Sequence, residues 1–94
     1  MAEKTLRVII EGRVQGVWFR GWMVEQAQRL GIRGWVQNRR DGRVEALFSG
    51  PAADVDEMIS ACRDGPPLAD VVTITEYPAE APGGEGFHAL PTGP

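Results

Sequence analysis

The sequence predicts an α+β sandwich, an antiparallel sheet with two helices on one face, and three observations carry that prediction. Leu6 to Glu11 alternate in polarity, as a half-buried strand does. From Phe19, and again from Val55, apolar residues recur every three or four positions, the period of a helix. Between those stretches, Arg39-Arg40-Asp41-Gly42 separates two apolar runs. Asp-Gly is a strong hairpin signal because glycine accepts the positive φ of the turn.

The first strand places Leu6, Val8 and Ile10 on one face and Arg7 and Glu11 on the other. A glycine-punctuated turn, Gly12-Arg13-Val14-Gln15-Gly16, leads to a helix from about Arg20 to Leu30. Its stripe is Phe19, Met23, Ala27 and Leu30, and Gly31 stands where a left-handed cap belongs. Ile32 to Asn38 and Arg43 to Ser49 are the hairpin strands. Ser49-Gly50-Pro51 reads as a helix start with proline in the first turn. Val55, Met58, Ile59 and Cys62 form the second apolar stripe, and Gly65-Pro66-Pro67 ends that helix. Val71 to Tyr77, rich in β-branched residues, is a fourth strand, and Phe87 to Leu90 is a candidate short fifth strand. The tail Pro91 to Pro94 is expected to be loose. The order β-α-β-β-α-β is the ferredoxin-like split βαβ arrangement, expected here as one domain over residues 1–94.

Composition narrows the chemistry. Ninety-four residues suffice for one core and are too few for two. A net charge of −3 argues against a general nucleic-acid binder, which needs a basic surface to displace counterions from phosphates. Cys62 is the single cysteine and His88 the single histidine, so neither a disulfide nor a four-ligand zinc site is expected. With no secretion signal and no run of about 20 apolar residues, the expectation is a cytoplasmic protein without a membrane partner.

The segment Gly12-Arg13-Val14-Gln15-Gly16-Val17-Trp18-Phe19-Arg20 joins the first strand to the first helix. The first amides of a helix lack internal partners, and the helix dipole puts partial positive charge there. A turn with converging N–H groups makes an anion nest, and arginine adds a planar fork for two phosphate oxygens. From spacing alone, a plain connecting turn with a solvated Arg20 fits equally well. The turn lacks the Gly-Lys-Ser/Thr ending of a nucleotide P-loop and the glycine spacing of a dinucleotide fingerprint.

Gly12 to Arg20 closely resembles the phosphate-loop signature of the acylphosphatases. Gly34-Trp35-Val36-Gln37-Asn38-Arg39-Arg40-Asp41-Gly42-Arg43-Val44-Glu45 resembles the second signature of the same family. The resemblance implies a metal-free, cofactor-free hydrolase that converts acyl phosphates to carboxylate and inorganic phosphate. It assigns the phosphate to Arg20 and to the loop amides of Val14, Gln15, Gly16, Val17, Trp18 and Phe19. It assigns orientation of the attacking water to Asn38. Phe87-His88-Ala89-Leu90 is shorter than the family's usual last strand. The expected partner is a small acyl phosphate, and the expected state is a monomer.

Two rival readings share the scaffold. One is a non-catalytic module that binds phosphate or carbamoyl phosphate. The other is an RNA-binding domain, which needs exposed aromatics on the first and third strands. The first strand has none and the third only Phe48, on the face of Val44 and Ala46. Asp54 and Asp56 read as acids favoured at a helix start, Cys62 as core, and His88 as a surface or edge-strand residue. Trp22 and Trp35 read as core or rim packing, Trp18 as a possible contact for the acyl group, and Arg39, Arg40 and Arg43 as solvated hairpin charge.

Overall fold

A computed structural model describes residues 2–94. Its elements are β1 (Glu3–Arg13), α1 (Phe19–Leu30), β2 (Arg33–Asn38), β3 (Val44–Pro51), α2 (Ala52–Asp64), β4 (Asp70–Pro78) and β5 (Phe87–Ala89). The five strands form one sheet in the order β4-β1-β3-β2-β5. β1 pairs antiparallel with β3 and β4, and β2 pairs antiparallel with β3.

β5 departs from the antiparallel expectation, because it pairs parallel with β2 through Gly34–Phe87, Trp35–His88 and Val36–Ala89. Direction explains this. β4 runs opposite to β1, so the chain leaves it at the end where β1 begins and turns back in the direction of β1. β2 runs that way too, and its outer edge is the one β5 takes.

One sheet face carries Val8, Ile10, Val36, Val44, Ala46 and Phe48, all essentially inaccessible, against the stripes of the two helices. Phe19, Met23 and Ala27 are buried from α1, and Val55, Met58, Ile59 and Cys62 from α2. Burying side chains the size of Phe19 and Met23 contributes roughly 1.5–3 kcal/mol each. Phe48 is fully buried and stacks on Phe87 at 5.8 Å, so the aromatic that an RNA-binding reading would need on β3 faces the core. The opposite face is partly covered. There Arg7 and Gln37 each donate to Glu45 at 3.0 Å, while the Arg7 guanidinium lies 4.5 Å from the Tyr77 ring centre.

α1 ends as the sequence predicts. Gly31 adopts φ 70° and donates to Gln28, while the Ile32 N–H reaches back to the Ala27 carbonyl at 2.9 Å, a Schellman closure. α2 starts later than predicted. Gly50 and Pro51 still pair with Lys4 and Glu3, so β3 runs through Pro51, which caps α2 in an extended conformation and stays out of its first turn. The aspartates near that start make no side-chain cap, and Asp56 instead accepts from Lys4 at 2.7 Å.

The C-terminal tail is not loose. Leu90 N–H donates to the Val36 carbonyl at 2.8 Å and Gly93 N–H to the Asn38 carbonyl at 2.9 Å, while Gly93 bridges to Arg39. These bonds continue β5 beyond its last regular residue and satisfy the outer edge of β2, which would otherwise expose unpaired backbone groups.

Candidate active site

β1 leaves the sheet through a bulge between Glu11 and Gly12, where Gly12 takes φ 126°. A Cβ there would lie 2.2 Å from the Asp70 carbonyl oxygen, so only glycine lets the two strands stay this close. The loop that follows is held from below by its own side chains. Val14, Val17 and Phe19 are buried in the core, while Gly16 and Trp18 face outward.

Gly16 at φ 73° and Trp18 at φ 66° flank Val17, and Trp18 is the one non-glycine residue with positive φ among the described residues. Left-handed geometry costs an L-residue roughly 1–2 kcal/mol, and such outliers gather where a loop is shaped for a ligand. The indole rests on Gly21, where a Cβ would lie 2.2 Å from its Nε1, and the residue remains 60% exposed.

The first intrahelical bond of α1 runs from Trp22 N–H to the Trp18 carbonyl at 3.1 Å. The amides of Phe19, Arg20 and Gly21 therefore lie ahead of the helical ladder. No side chain caps this end, and no acid occupies its first turn. Arg20 projects beside those amides. Its Nη1 donates to the Leu90 carbonyl at 3.4 Å, and among the described residues no carboxylate comes within 4.0 Å of it.

Asn38 closes β2 opposite Val44 and reaches the same space. Val14, Gly16, Trp18, Phe19, Arg20 and Asn38, with Gly21 and Ala89, line one cavity of about 340 Å³. Two predicted loop residues are not among its walls. Val17 is a core anchor, and the Gln15 side chain turns away to the hairpin, where Nε2 donates to the Arg39 carbonyl at 2.7 Å and the Arg43 carbonyl at 2.9 Å.

Sequence reasoning missed Gly21, Ala89 and the tail carbonyl of Leu90. Gly21 carried a signal, a glycine inside a predicted helix; the tail carried none, because its bonds are backbone bonds that any sequence can make.

Two of the three hairpin arginines are tied locally. Arg39 and Arg43 both bond Asp41, at 3.0 and 2.7 Å, and Arg39 also approaches Glu45 at 3.4 Å. The Arg43 side chain and backbone, with help from Arg39, hold the Asp41 carboxyl well below the usual carboxylate range. Arg20 is the cation among the residues that line the cavity. Cys62 lies in the core of α2, where burial pushes its thiol up to about 12 and leaves it unsuited to nucleophilic work. His88 is exposed on β5, its Nε2 2.8 Å from the Glu85 carbonyl.

The family model for acylphosphatases matches residues 6–89. An acylphosphatase of Rhodospirillum rubrum is 56% identical over 89 residues, covering 95% of this chain and 98% of that protein. The crystal structure of an acylphosphatase from Bacillus subtilis superimposes with a TM-score of 0.86 at 36% identity, covering 92% of this chain and 97% of that one. One from Coxiella burnetii gives 0.89 at 28% identity, covering 94% and 93%. With both sequence signatures brought to one cavity and these matches running through the whole fold, the chain belongs to the acylphosphatase family.

Proposed function

We propose that the chain hydrolyses acyl phosphates by direct attack of a water held by Asn38 on a phosphoryl group held by Arg20 and the amides of the Val14–Phe19 loop. The observation that carries this reading is the juxtaposition at the cavity. An arginine with no carboxylate partner among the described residues and the open end of α1 face the same space as a neutral carboxamide.

So sparse a site suits this substrate class. A phosphate ester expels an alkoxide, which needs a proton or a metal to depart. An acyl phosphate expels a carboxylate whose conjugate acid has a pKa of about 4, so it leaves unaided at neutral pH. Phosphoryl transfer spreads charge over the equatorial oxygens, and the protein's task is placement and electrostatic stabilisation. Arg20 and the amides face those oxygens. The Asn38 carboxamide oxygen accepts from the water and aims it in line. A carboxamide is a poor base, so the water's proton passes to a substrate oxygen or to solvent.

Among the described residues, no helix is long and apolar enough to cross a membrane. The buried, unpaired Cys62 suits a reducing compartment, which supports a cytoplasmic location.

The test is phosphate release from benzoyl phosphate with excess EDTA. Wild type turns over; Arg20→Ala loses about 10³-fold in kcat/KM, in the range for removing a transition-state cation. Asn38→Ala keeps its affinity for inorganic phosphate and loses turnover. A well-folded wild type that binds phosphate without hydrolysing the substrate would be a non-catalytic phosphate or carbamoyl-phosphate module instead.

A further inference from the structure

Gln15 belongs to the phosphate loop by sequence, yet its side chain serves another part of the site. Its Nε2 meets the Arg39 carbonyl at 2.7 Å and the Arg43 carbonyl at 2.9 Å, residues 24 and 28 positions away. Both partners are acceptors, so the NH2 end of the carboxamide must face them, with one hydrogen for each. The carbonyls lie on the two arms of the β2–β3 hairpin, next to the rung in which Arg39 N–H donates to the Arg43 carbonyl at 2.8 Å. Arg39 follows Asn38 directly. On the other side, Gly93 N–H fixes the Asn38 carbonyl.

We infer that Gln15 is a positioning residue for Asn38: its carboxamide locks the hairpin end to the phosphate loop and so sets the distance between held water and held phosphate. The inference rests on the reading of Asn38 given above. These two are the side-chain hydrogen bonds that join loop residues 14–18 to residues 38–43 among the described residues. Without them, Arg20 and the strand end with Asn38 are linked through the core and through the tail, whose Leu90 carbonyl accepts from Arg20 at 3.4 Å while Gly93 N–H holds the Asn38 carbonyl. No side chain would then tie the loop itself to the hairpin among the described residues. In-line attack is sensitive to such slack, since a displacement of about 1 Å can cost 10²-fold in rate.

A role confined to stability would lower the folded fraction and leave the kcat of folded molecules alone. A role in phosphate binding would raise the inhibition constant for inorganic phosphate. Positioning of Asn38 predicts neither.

The experiment is a double-mutant cycle on Gln15 and Asn38, read as kcat on benzoyl phosphate and as inhibition by inorganic phosphate, with thermal melts to fix the assay temperature below unfolding. Gln15→Glu, of the same shape but with no donor to offer when ionised, accompanies Gln15→Ala in case the truncation fails to fold. The expected result is a loss of about 10- to 100-fold in kcat for either Gln15 variant, with phosphate inhibition within about threefold of wild type. In the Asn38→Ala background the same change should cost less than about threefold, because there is no held water left to misplace. Wild-type kcat, losses that multiply with Asn38→Ala, or phosphate affinity lost in step with kcat would each overturn the role of Gln15 alone. Full turnover by Asn38→Ala itself would overturn the reading of Asn38, and the inference with it.

Discussion

The fold makes two junctions from strand to helix, and they leave the positive end of the helix in different states. At β3–α2 the strand passes into the helix without a loop, through Pro51 at φ −55° and ψ 137°. The first helical amide, Ala52 N–H, is taken by the Ala2 carbonyl at 3.0 Å, and Asp54 puts an acid in the first turn. At β1–α1 a loop intervenes, Gly16 and Trp18 take left-handed conformations, and the first turn holds no acid. A helix N-terminus is thus only a potential anion site. α2 has its first amide bonded and an acid in its first turn, whereas α1 has neither and sets Arg20 beside its start.

The strongest test of this contrast makes the α1 junction resemble the α2 junction by placing an acid in it. A Cβ at Gly16 would meet nothing within 4 Å, so a short side chain fits, although the position has φ 73°. Asparagine and aspartate both tolerate that region and differ only in charge. Gly16→Asp should bind inorganic phosphate at least about tenfold more weakly than Gly16→Asn, a difference of about 1.4 kcal/mol, in a calorimetric titration. Equal affinities would show that the anion does not sit at this junction.

The same contrast divides what the sequence disclosed from what it hid. The stripes of α1 and α2, the Asp-Gly hairpin and the cap at Gly31 were legible because each depends on local periodicity or on a φ that few residues accept. The parallel pairing of β5 and the fixed tail were not, because both depend on which sheet edge is left over once β1 to β4 have paired. At the site, Arg20 and Asn38 were legible through family signatures, and their shared cavity follows from the fold. The side-chain role of Gln15 was hidden, because a carbonyl acceptor 24 residues away leaves no trace in residue type. Pro51 misled by one position for a related reason: β1 holds the last residues of β3 in the ladder and delays the helix.

A smaller effect should separate the junctions by backbone strain. Trp18 is held at φ 66° at the start of α1, whereas Pro51 occupies a relaxed extended conformation. Trp18→Gly and Trp18→Ala both remove the indole, but only alanine keeps the left-handed penalty. The glycine variant should therefore be the more stable in urea unfolding by about 1 kcal/mol. A more stable alanine variant would mean that the turn relaxes once the indole is gone and that the ring, not the loop, imposes the conformation.

The smallest effect belongs to the α2 junction. Asp54 makes no capping hydrogen bond, so its contribution at the start of α2 is the interaction of its charge with the helix dipole. Asp54→Asn preserves the shape and removes that charge, which should lower stability by about 0.5 kcal/mol, a melting shift of roughly 2–4 °C for a chain of this length. The informative readout is the melting increment on adding phosphate. If an unsatisfied dipole alone could recruit an anion, freeing the α2 end would enlarge that increment. With Ala52 N–H already bonded to Ala2 and Lys4 already paired with Asp56, the increment should equal that of wild type. An enlarged one would place the affinity in the dipole and remove the distinction between the junctions.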